Sequence, residues 1–260
     1  MKTFFNLKYL NDNITRRSYK NLCPEVLHAG DIYIVEFPKS GVTWLSTIIA
    51  NACSLEFGNG KALTYFSAKR LIPDLHSSRA IAPRLNSVGL GFYKSHSTFN
   101  PNYSNIIYLA RHPASVMHSY LRHYNSFNSN SYNFKDFLKD KKMGLLAWKK
   151  HIRSWLSNNK DQSQKSIHLI RYEDLILNAQ QEIFNLNINF SLGLSKSSIL
   201  KAIERSSLSN LRKQEKLYIK NNPGYKMSFF EQSKITKEEI FWLDYISSEC
   251  SFELKLLGYT

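Results

Sequence analysis

Residues 32–53 read Ile-Tyr-Ile-Val-Glu-Phe-Pro-Lys-Ser-Gly-Val-Thr-Trp-Leu-Ser-Thr-Ile-Ile-Ala-Asn-Ala-Cys. An apolar β-type run passes through a Pro/Ser/Gly turn carrying Lys39 into a helix-like stretch that begins near Val42 or Thr43. A strand entering a helix through a glycine-containing turn leaves the first N–H groups of that helix free. Those donors and the positive end of the helix dipole converge on one point, the layout of an anion site. Lys39 adds an ammonium there, and Ser40 and Thr43 add hydroxyls. The spacing is not that of the common nucleotide loop, G-x-x-x-x-G-K-[ST], because Lys39 precedes the only glycine of the turn, Gly41. An ordinary ATP or GTP site is therefore disfavoured, although the physics of holding a phosphate is unchanged. The competing reading is a plain strand–turn–helix connection in which Lys39 is incidental.

Outward from this stretch, strand-like runs recur at Asp31 to Phe37, Val88 to Lys94, Asn105 to Ala110 and Ser166 to Arg171. Helical patterns occupy Thr43 to Ser54, Pro113 to Tyr124, Leu145 to Leu156, Asn178 to Asn187, Lys196 to Ser206 and Lys237 to Cys250. The alternation predicts an α/β fold: a single domain over residues 1–260 with a central, mostly parallel β-sheet flanked by helices and a P-loop-like turn after the first strand. Residues 1–30 read as an N-terminal extension packing on that domain. Residues 207–236, weakly periodic and broken by Pro223-Gly224, read as an irregular lid, and the Ser/Asn-rich stretch 125–133 reads as a surface loop.

In such folds ligands collect at the C-terminal ends of the strands, and the notable residues of this chain lie there. Arg111 follows the third strand directly before His112-Pro113, a helix start, and offers a planar fork suited to phosphate. A surface ion pair is the alternative for Arg111. Lys94, Ser95 and His96 end the second strand.

Of the 260 residues, 35 are Lys or Arg and 20 Asp or Glu, a formal charge of +15 that favours anionic partners without choosing among them. The basic residues are dispersed in short clusters, mostly a solvated surface. Three cysteines, far apart and without C-x-x-C spacing, exclude a disulfide framework or zinc site and fit a cytoplasmic location. No apolar run has the length of a signal peptide or membrane span, so a soluble protein without a membrane partner is expected.

Pro38-Lys39-Ser40-Gly41-Val42-Thr43-Trp44 resembles the P-K-S-G-T-T-W loop of cytosolic sulfotransferases, with Val42 in place of threonine. In that family the loop holds the 5′-phosphosulfate end of 3′-phosphoadenosine 5′-phosphosulfate (PAPS), which leaves as the bisphosphate PAP. The resemblance implies donor contacts from Lys39, Ser40, Gly41, Val42 and Thr43, and adenine stacking on Trp44, for which a core tryptophan is the alternative. It implies that Arg111, with Ser119 eight residues on (111 to 119), grips the 3′-phosphate, and that Lys94-Ser95-His96 matches the K-T-H segment carrying the catalytic histidine. His96 would then be the general base, with Lys39 and Lys94 stabilising charge on the leaving phosphate and no metal required. The other histidines, among them His76, His123 and His151, have no such context.

Arg171-Tyr172-Glu173-Asp174-Leu175 is similar to the family's Y-E-D-L segment, which assigns Tyr172 to the nucleotide and the acidic pair to capping the next helix. Arg205 to Leu211 is similar to T-S-F-x-x-M, which assigns Ser206 and Leu208 to the adenine. The family's R-K-G motif is missing; Lys220 stands in for its arginine, and Gly224, Tyr225 and Lys226 stand for G-x-W-K with one residue deleted. A point charge replacing a fork weakens or moves the 3′-phosphate grip. The family's C-terminal dimer motif is not matched, so a monomer or weak homodimer is expected.

The function so read is sulfuryl transfer from PAPS to a hydroxyl or amine of a small-molecule acceptor, in a bacterial natural-product setting given the Lys-, Asn-, Ile- and Ser-rich composition. Nucleic acid is not an expected partner. A P-loop-like nucleotide or small-molecule kinase and a non-catalytic basic polyanion-binding protein are the alternatives. Acceptor loops are expected within Thr64 to Ser87, Asn125 to Lys142 and Leu217 to Phe230, with Tyr65, Phe66, Phe99, Tyr103, Tyr124, Phe127 and Tyr132 lining a cavity.

Overall fold

The computed structural model describes residues 23–77, 81–86, 89–128, 131–157, 166–223, 225, 230 and 240–259. Four strands, β1 (Asp31–Glu36), β2 (Gly91–Ser95), β3 (Asn105–Ala110) and β4 (Ser166–Arg171), form one sheet in the order β2-β1-β3-β4. All three pairings are parallel, with Val35 opposite Ser95 and Tyr108, and Ala110 opposite Arg171. The expected α/β fold with a parallel central sheet is therefore present as one domain.

β1 feeds α1 (Val42–Phe57), and the chain passes through the single turn α2 (Tyr65–Ala68) to reach β2 on one side of β1. It then resumes on the other side with β3 and α3 (Pro113–Phe127), α4 (Phe134–Lys139) and α5 (Leu145–Leu156). β1 thus stands where the strand order reverses, the position at which parallel sheets open a crevice at their C-terminal edge. After β4 come α6 (Tyr172–Asn189), α7 (Lys196–Arg205), α8 (Leu208–Asn221), α9 (Leu243–Glu249) and α10 (Ser251–Leu256).

Side chains alternate across the sheet with the period of two that strands impose. Ile32, Ile34, Phe92, Ile107 and Leu109 pack with α1, α6 and α7 on one face, while Tyr33, Val35, Tyr93, Ile106 and Tyr108 pack with α3 and α5 on the other. Tyr33 and Tyr103 stack at 3.9 Å between ring centroids, and Trp148 and Trp155 are fully buried behind them. Since every residue of β1 is buried, the strand reads as a near-continuous apolar run.

Four boundaries differ from the sequence reading. α3 runs on through Phe127, taking the first part of the Ser/Asn stretch read as loop, because Tyr124 and Phe127 still have aromatic neighbours in Tyr132 and His123. α6 begins at Tyr172, six residues early (172 against 178), and Asn178 survives as a break in it, at φ −149° and ψ 68°, where its side chain accepts from Gln181 N–H. Residues 208–221, read as irregular, are helix α8, which buries only Leu211 and Glu215 and so carries little apolar periodicity. Near the C-terminus the helix is Leu243–Glu249, Lys237 itself lying outside the described residues, as do residues 1–22 of the N-terminal extension. No helix among the described residues is long and apolar enough to cross a membrane.

Ile34 is fully buried at the centre of β1. Ile34→Ala is expected to cost about 2–5 kcal/mol through lost burial and the cavity left behind, read as a lower urea midpoint with an unchanged slope in an equilibrium melt.

Candidate active site

The Lys39 loop closes the C-terminal end of β1. Lys39 itself takes a left-handed conformation at φ 76°, and Gly41 sits at φ 115° as the N-cap of α1. A non-glycine residue held there costs on the order of 1–3 kcal/mol and marks a backbone shaped for something other than stability. A Cβ on Gly41 would lie 2.4 Å from Cδ2 of Tyr172, so the tyrosine ring rests directly on the glycine.

The donors of the loop divide into those used internally and those left over. Ser40 turns its N–H (3.2 Å) and its Oγ (2.8 Å) back to Phe37 O, so its hydroxyl is not presented outward. The N–H groups of Trp44 and Leu45 both reach Gly41 O. Val42 N–H donates to Oε2 of Glu36 at 2.8 Å. The N–H groups of Gly41 and Thr43 have no hydrogen-bond partner among the described residues.

Arg111, at the end of β3, donates to Lys39 O at 3.3 Å and lies over the Tyr172 ring at 4.4 Å from its centroid. Its Nε is buried and has no partner among the described residues. The two anion contacts expected from the sequence are thus joined directly, with Tyr172 bracing both. Ser119 is half-buried on α3, and Lys220 is exposed in the last turn of α8. Lys226 and Gly224 lie outside the described residues.

Strand parity places Glu36 and Lys94 on the α1 side of the sheet, and His96 directly follows β2. Lys94 is buried, its backbone paired in a short bridge with Asp74, its N–H donating to Pro73 O and its carbonyl accepting from Leu75 N–H. His96 N–H donates to Nε2 of His76 at 2.7 Å, and His96 Nδ1 lies 3.3 Å from Glu36 O and 3.7 Å from Glu36 Oε1. Beneath them His151, fully inside the core, holds Tyr108 at 2.8 Å. Neither Glu36, Asp74 nor His76 stood out in the sequence; a carboxylate at the end of an otherwise apolar strand is the one signal that could have marked Glu36.

Charges in this space shift one another. Burial lowers Lys39 to about 8, Glu36 pulling it back up while Arg122 and Arg111 lower it further. Burial raises the Glu36 carboxyl above its ordinary range, against His96, the Val42 N–H, Lys39 and Lys94. Asp74 ends below the ordinary carboxylate range; its burial acts upward, but His96, Lys94 and His76 outweigh it. His123, close to Lys39, is pushed down to about 3 by burial and by that lysine, and His151 to about 3 mainly by burial.

On the adenosine side Trp44 is buried, its indole N–H donating to Ser206 O at 2.9 Å and its ring edge-on to Tyr172. The indole is thus covered by α7 and its cap residue Ser206. Ser206 Oγ is likewise engaged, with Asn51 at 3.1 Å and Thr47 O at 3.4 Å, and Leu208 packs partly buried against the same cluster. Glu173 does not cap α6; it accepts from His112 N–H and from the Tyr259 hydroxyl, while Asp174 pairs with Arg171. Of the aromatics expected to line an acceptor cavity, Tyr103 is core, and Phe99 packs on Trp155. Tyr65 and Phe66 instead join Tyr218, Tyr225 and Phe230 around the buried carboxylate of Glu215. Among the described residues no group of three or more His, Cys, Asp or Glu side chains is placed to hold a metal ion.

A parallel α/β sheet with a left-handed, lysine-bearing turn at its switch point is a fold of the kind that holds ligands at the C-terminal ends of its strands. A family model described as "Sulfotransferase domain" matches residues 29–241, and the chain belongs to that family. It is 22% identical over 204 residues to amine sulfotransferase of Oryctolagus cuniculus, covering 70% of this chain and 63% of that one. Over 202 residues it is 26% identical to sulfotransferase 1B1 of Canis lupus familiaris, covering 70% and 66%. The matched region thus spans less than two thirds of these relatives. Among solved structures, mouse sulfotransferase SULT7A1 complexed with PAP aligns over 100% of this chain and 95% of its own at a TM-score of 0.59 and 15% identity. Retinol dehydratase in a complex with retinol and PAP aligns over 95% and 86% at 0.64 and 17%. At these identities the likeness is one of fold.

Gly41→Ala should be destabilising by about 2 kcal/mol, since it combines a left-handed backbone with a clash against Tyr172. A thermal melt checks this, and an unchanged midpoint would mean that the ring does not rest on the glycine.

Proposed function

We propose that this protein is a PAPS-dependent sulfotransferase that moves a sulfuryl group to a hydroxyl or amine of a small molecule. The observation that carries this reading is the direct junction of Arg111 with the Lys39 loop, Arg111 donating to Lys39 O over the Tyr172 ring. Arg111 Nε and the two loop N–H groups, without partners among the described residues, suit a ligand with phosphate at both ends of a nucleoside. The presence of PAP in the related solved structures supports the same donor.

In this reading Lys39, with the N–H groups of Gly41 and Thr43, holds the 5′-phosphosulfate end. Arg111 and Ser119 hold the 3′-phosphate, Lys220 and Lys226 add positive charge there, and Trp44, Tyr172, Ser206 and Leu208 wall the adenosine. Residues 207–236 serve as a lid, residues 1–30 as an extension of the domain. The donor supplies the sulfuryl group. His96 Nε2 takes the proton of the acceptor's O–H or N–H as the acceptor bonds to sulfur, and the bond from sulfur to the 5′-phosphate oxygen breaks. Lys39 and Lys94 offset the charge that appears on that oxygen.

The depressed Lys39 gives a pH signature. In the free protein it releases its proton at about 8, well below its ordinary 10.5. An arriving phosphate favours the charged form and raises it again, so binding takes up a proton above about pH 8, and hardly any at about pH 6.5. Calorimetry of adenosine 3′,5′-bisphosphate in buffers of different ionisation enthalpy should show this uptake, and plain AMP should bind far more weakly. Equal affinity for the two nucleotides would remove the PAPS assignment.

Substitutions should separate holding from transfer. His96→Ala is expected to cut transfer by about 100-fold or more while leaving nucleotide affinity near wild type. Arg111→Ala should weaken nucleotide binding by about 2–3 kcal/mol. Wild-type turnover in the His96 variant would end the base assignment.

A further inference from the structure

We propose that Glu36 is a positioning residue for the base: its backbone carbonyl fixes the tautomer of the His96 imidazole, and its carboxylate ties the first N–H of α1 to that ring and balances the charge the ring gains. This rests on the reading of His96 as the base. Three contacts carry it. The Glu36 carbonyl lies 3.3 Å from His96 Nδ1, and a carbonyl can only accept, so Nδ1 bears the hydrogen and Nε2 presents the lone pair. Oε2 of the same residue is held by Val42 N–H at 2.8 Å, which aims Oε1 at His96 Nδ1 at 3.7 Å, within ion-pair range once the ring is protonated. Glu36 is buried, so neither oxygen is surrounded by water that could do the same work.

His76 is spent on the His96 backbone N–H, and Lys94 carries the wrong charge to stabilise an imidazolium. Asp74, which accepts from the His76 backbone N–H at 2.9 Å, adds negative charge nearby, but Glu36 is the carboxylate with an oxygen 3.7 Å from His96 Nδ1. The arrangement is the carboxylate–imidazole pair that holds a general base in one tautomer and stabilises its cation without taking the proton. It is also a mechanical link. The helix start that shapes the anion loop and the ring that receives the acceptor's proton share one side chain, so the distance between donor and base is set by Glu36.

Nitrogen-15 spectra of the imidazoles in the wild-type protein, with the His96 signal assigned by its loss in His96→Ala, test the tautomer without any acceptor. Nδ1–H is expected; a dominant Nε2–H form at His96 overturns the proposal. In Glu36→Gln, the amide cannot balance the imidazolium, and turnover of 2-naphthol with PAPS should fall about 100-fold while PAP affinity measured by calorimetry does not fall. Glu36→Gln in the His96→Ala background should add no further loss, because the carboxylate acts through the ring. Full turnover in Glu36→Gln, or an independent second loss in the double variant, would sink the role of Glu36 while leaving His96 as base. Wild-type turnover in His96→Ala would instead remove the base reading itself.

Discussion

The site depends on the backbone pairing of β1 along both edges. Hydrogen-bonded to β2 on one side and β3 on the other, and buried on both faces, this strand has no freedom at its C-terminal end. Whatever follows it is placed by the sheet. The turn at Lys39 must therefore absorb the change of direction into α1 within a few residues, and it does so with two left-handed backbones, at Lys39 and Gly41. Glycine meets that demand without a Cβ clash, whereas Lys39 meets it at a conformational cost that the surrounding packing imposes. The same pairing brings β2 and β3 to end beside the loop, so His96 and Arg111 reach it from either side without any long-range search.

Burying three ionisable groups in that space would be unfavourable if each stood alone. Glu36 compensates the two lysines, and the shifts of Lys39 and Glu36 record the balance. Desolvation drives the lysine toward its neutral form and the glutamate toward its own, while their mutual attraction opposes both. An added phosphate tips the balance toward charged Lys39, so occupancy by an anion and the cationic state of the loop reinforce each other. The overall excess of positive charge, 35 Lys and Arg against 20 Asp and Glu, then acts at longer range, drawing anions to a crevice whose local charges are already committed.

The sheet and the loop were legible because they rest on local signals: apolar runs of strand length, Pro and Gly at the turn, a helix pattern behind it. The positions of Lys39, Arg111, Lys94 and His96 at the strand ends were legible for the same reason, since each follows or closes an apolar run. What stayed hidden depends on contacts distant in sequence. The burial of Trp44 is set by Ser206, 162 residues away, whose carbonyl accepts from its indole N–H. Tyr103 looked like a cavity wall, but Tyr33 stacks on it across the core. Helix α8 was missed because its buried side rests on little more than Leu211 and a carboxylate, Glu215, whose partners are Tyr65 and the backbone of Phe230. Glu36 was passed over because a single polar residue at the end of an apolar strand is usually just where the strand meets solvent.

That last position alters how the anion loop is to be understood. A loop of this shape would ordinarily turn every N–H of the helix start toward its ligand, but here the first of them, on Val42, belongs to the protein's own carboxylate. In the proposed reading, a phosphate at Gly41 and Thr43 would sit beside a carboxyl that is not its partner, and would rely more heavily on Lys39 and Arg111 than on the helix dipole. The carboxylate weakens the general attraction of the helix start for any anion while leaving the cationic side chains to pick the one that bridges them. Under the proposed function, such an arrangement would favour selectivity for a ligand with phosphate at two ends over affinity for phosphate alone.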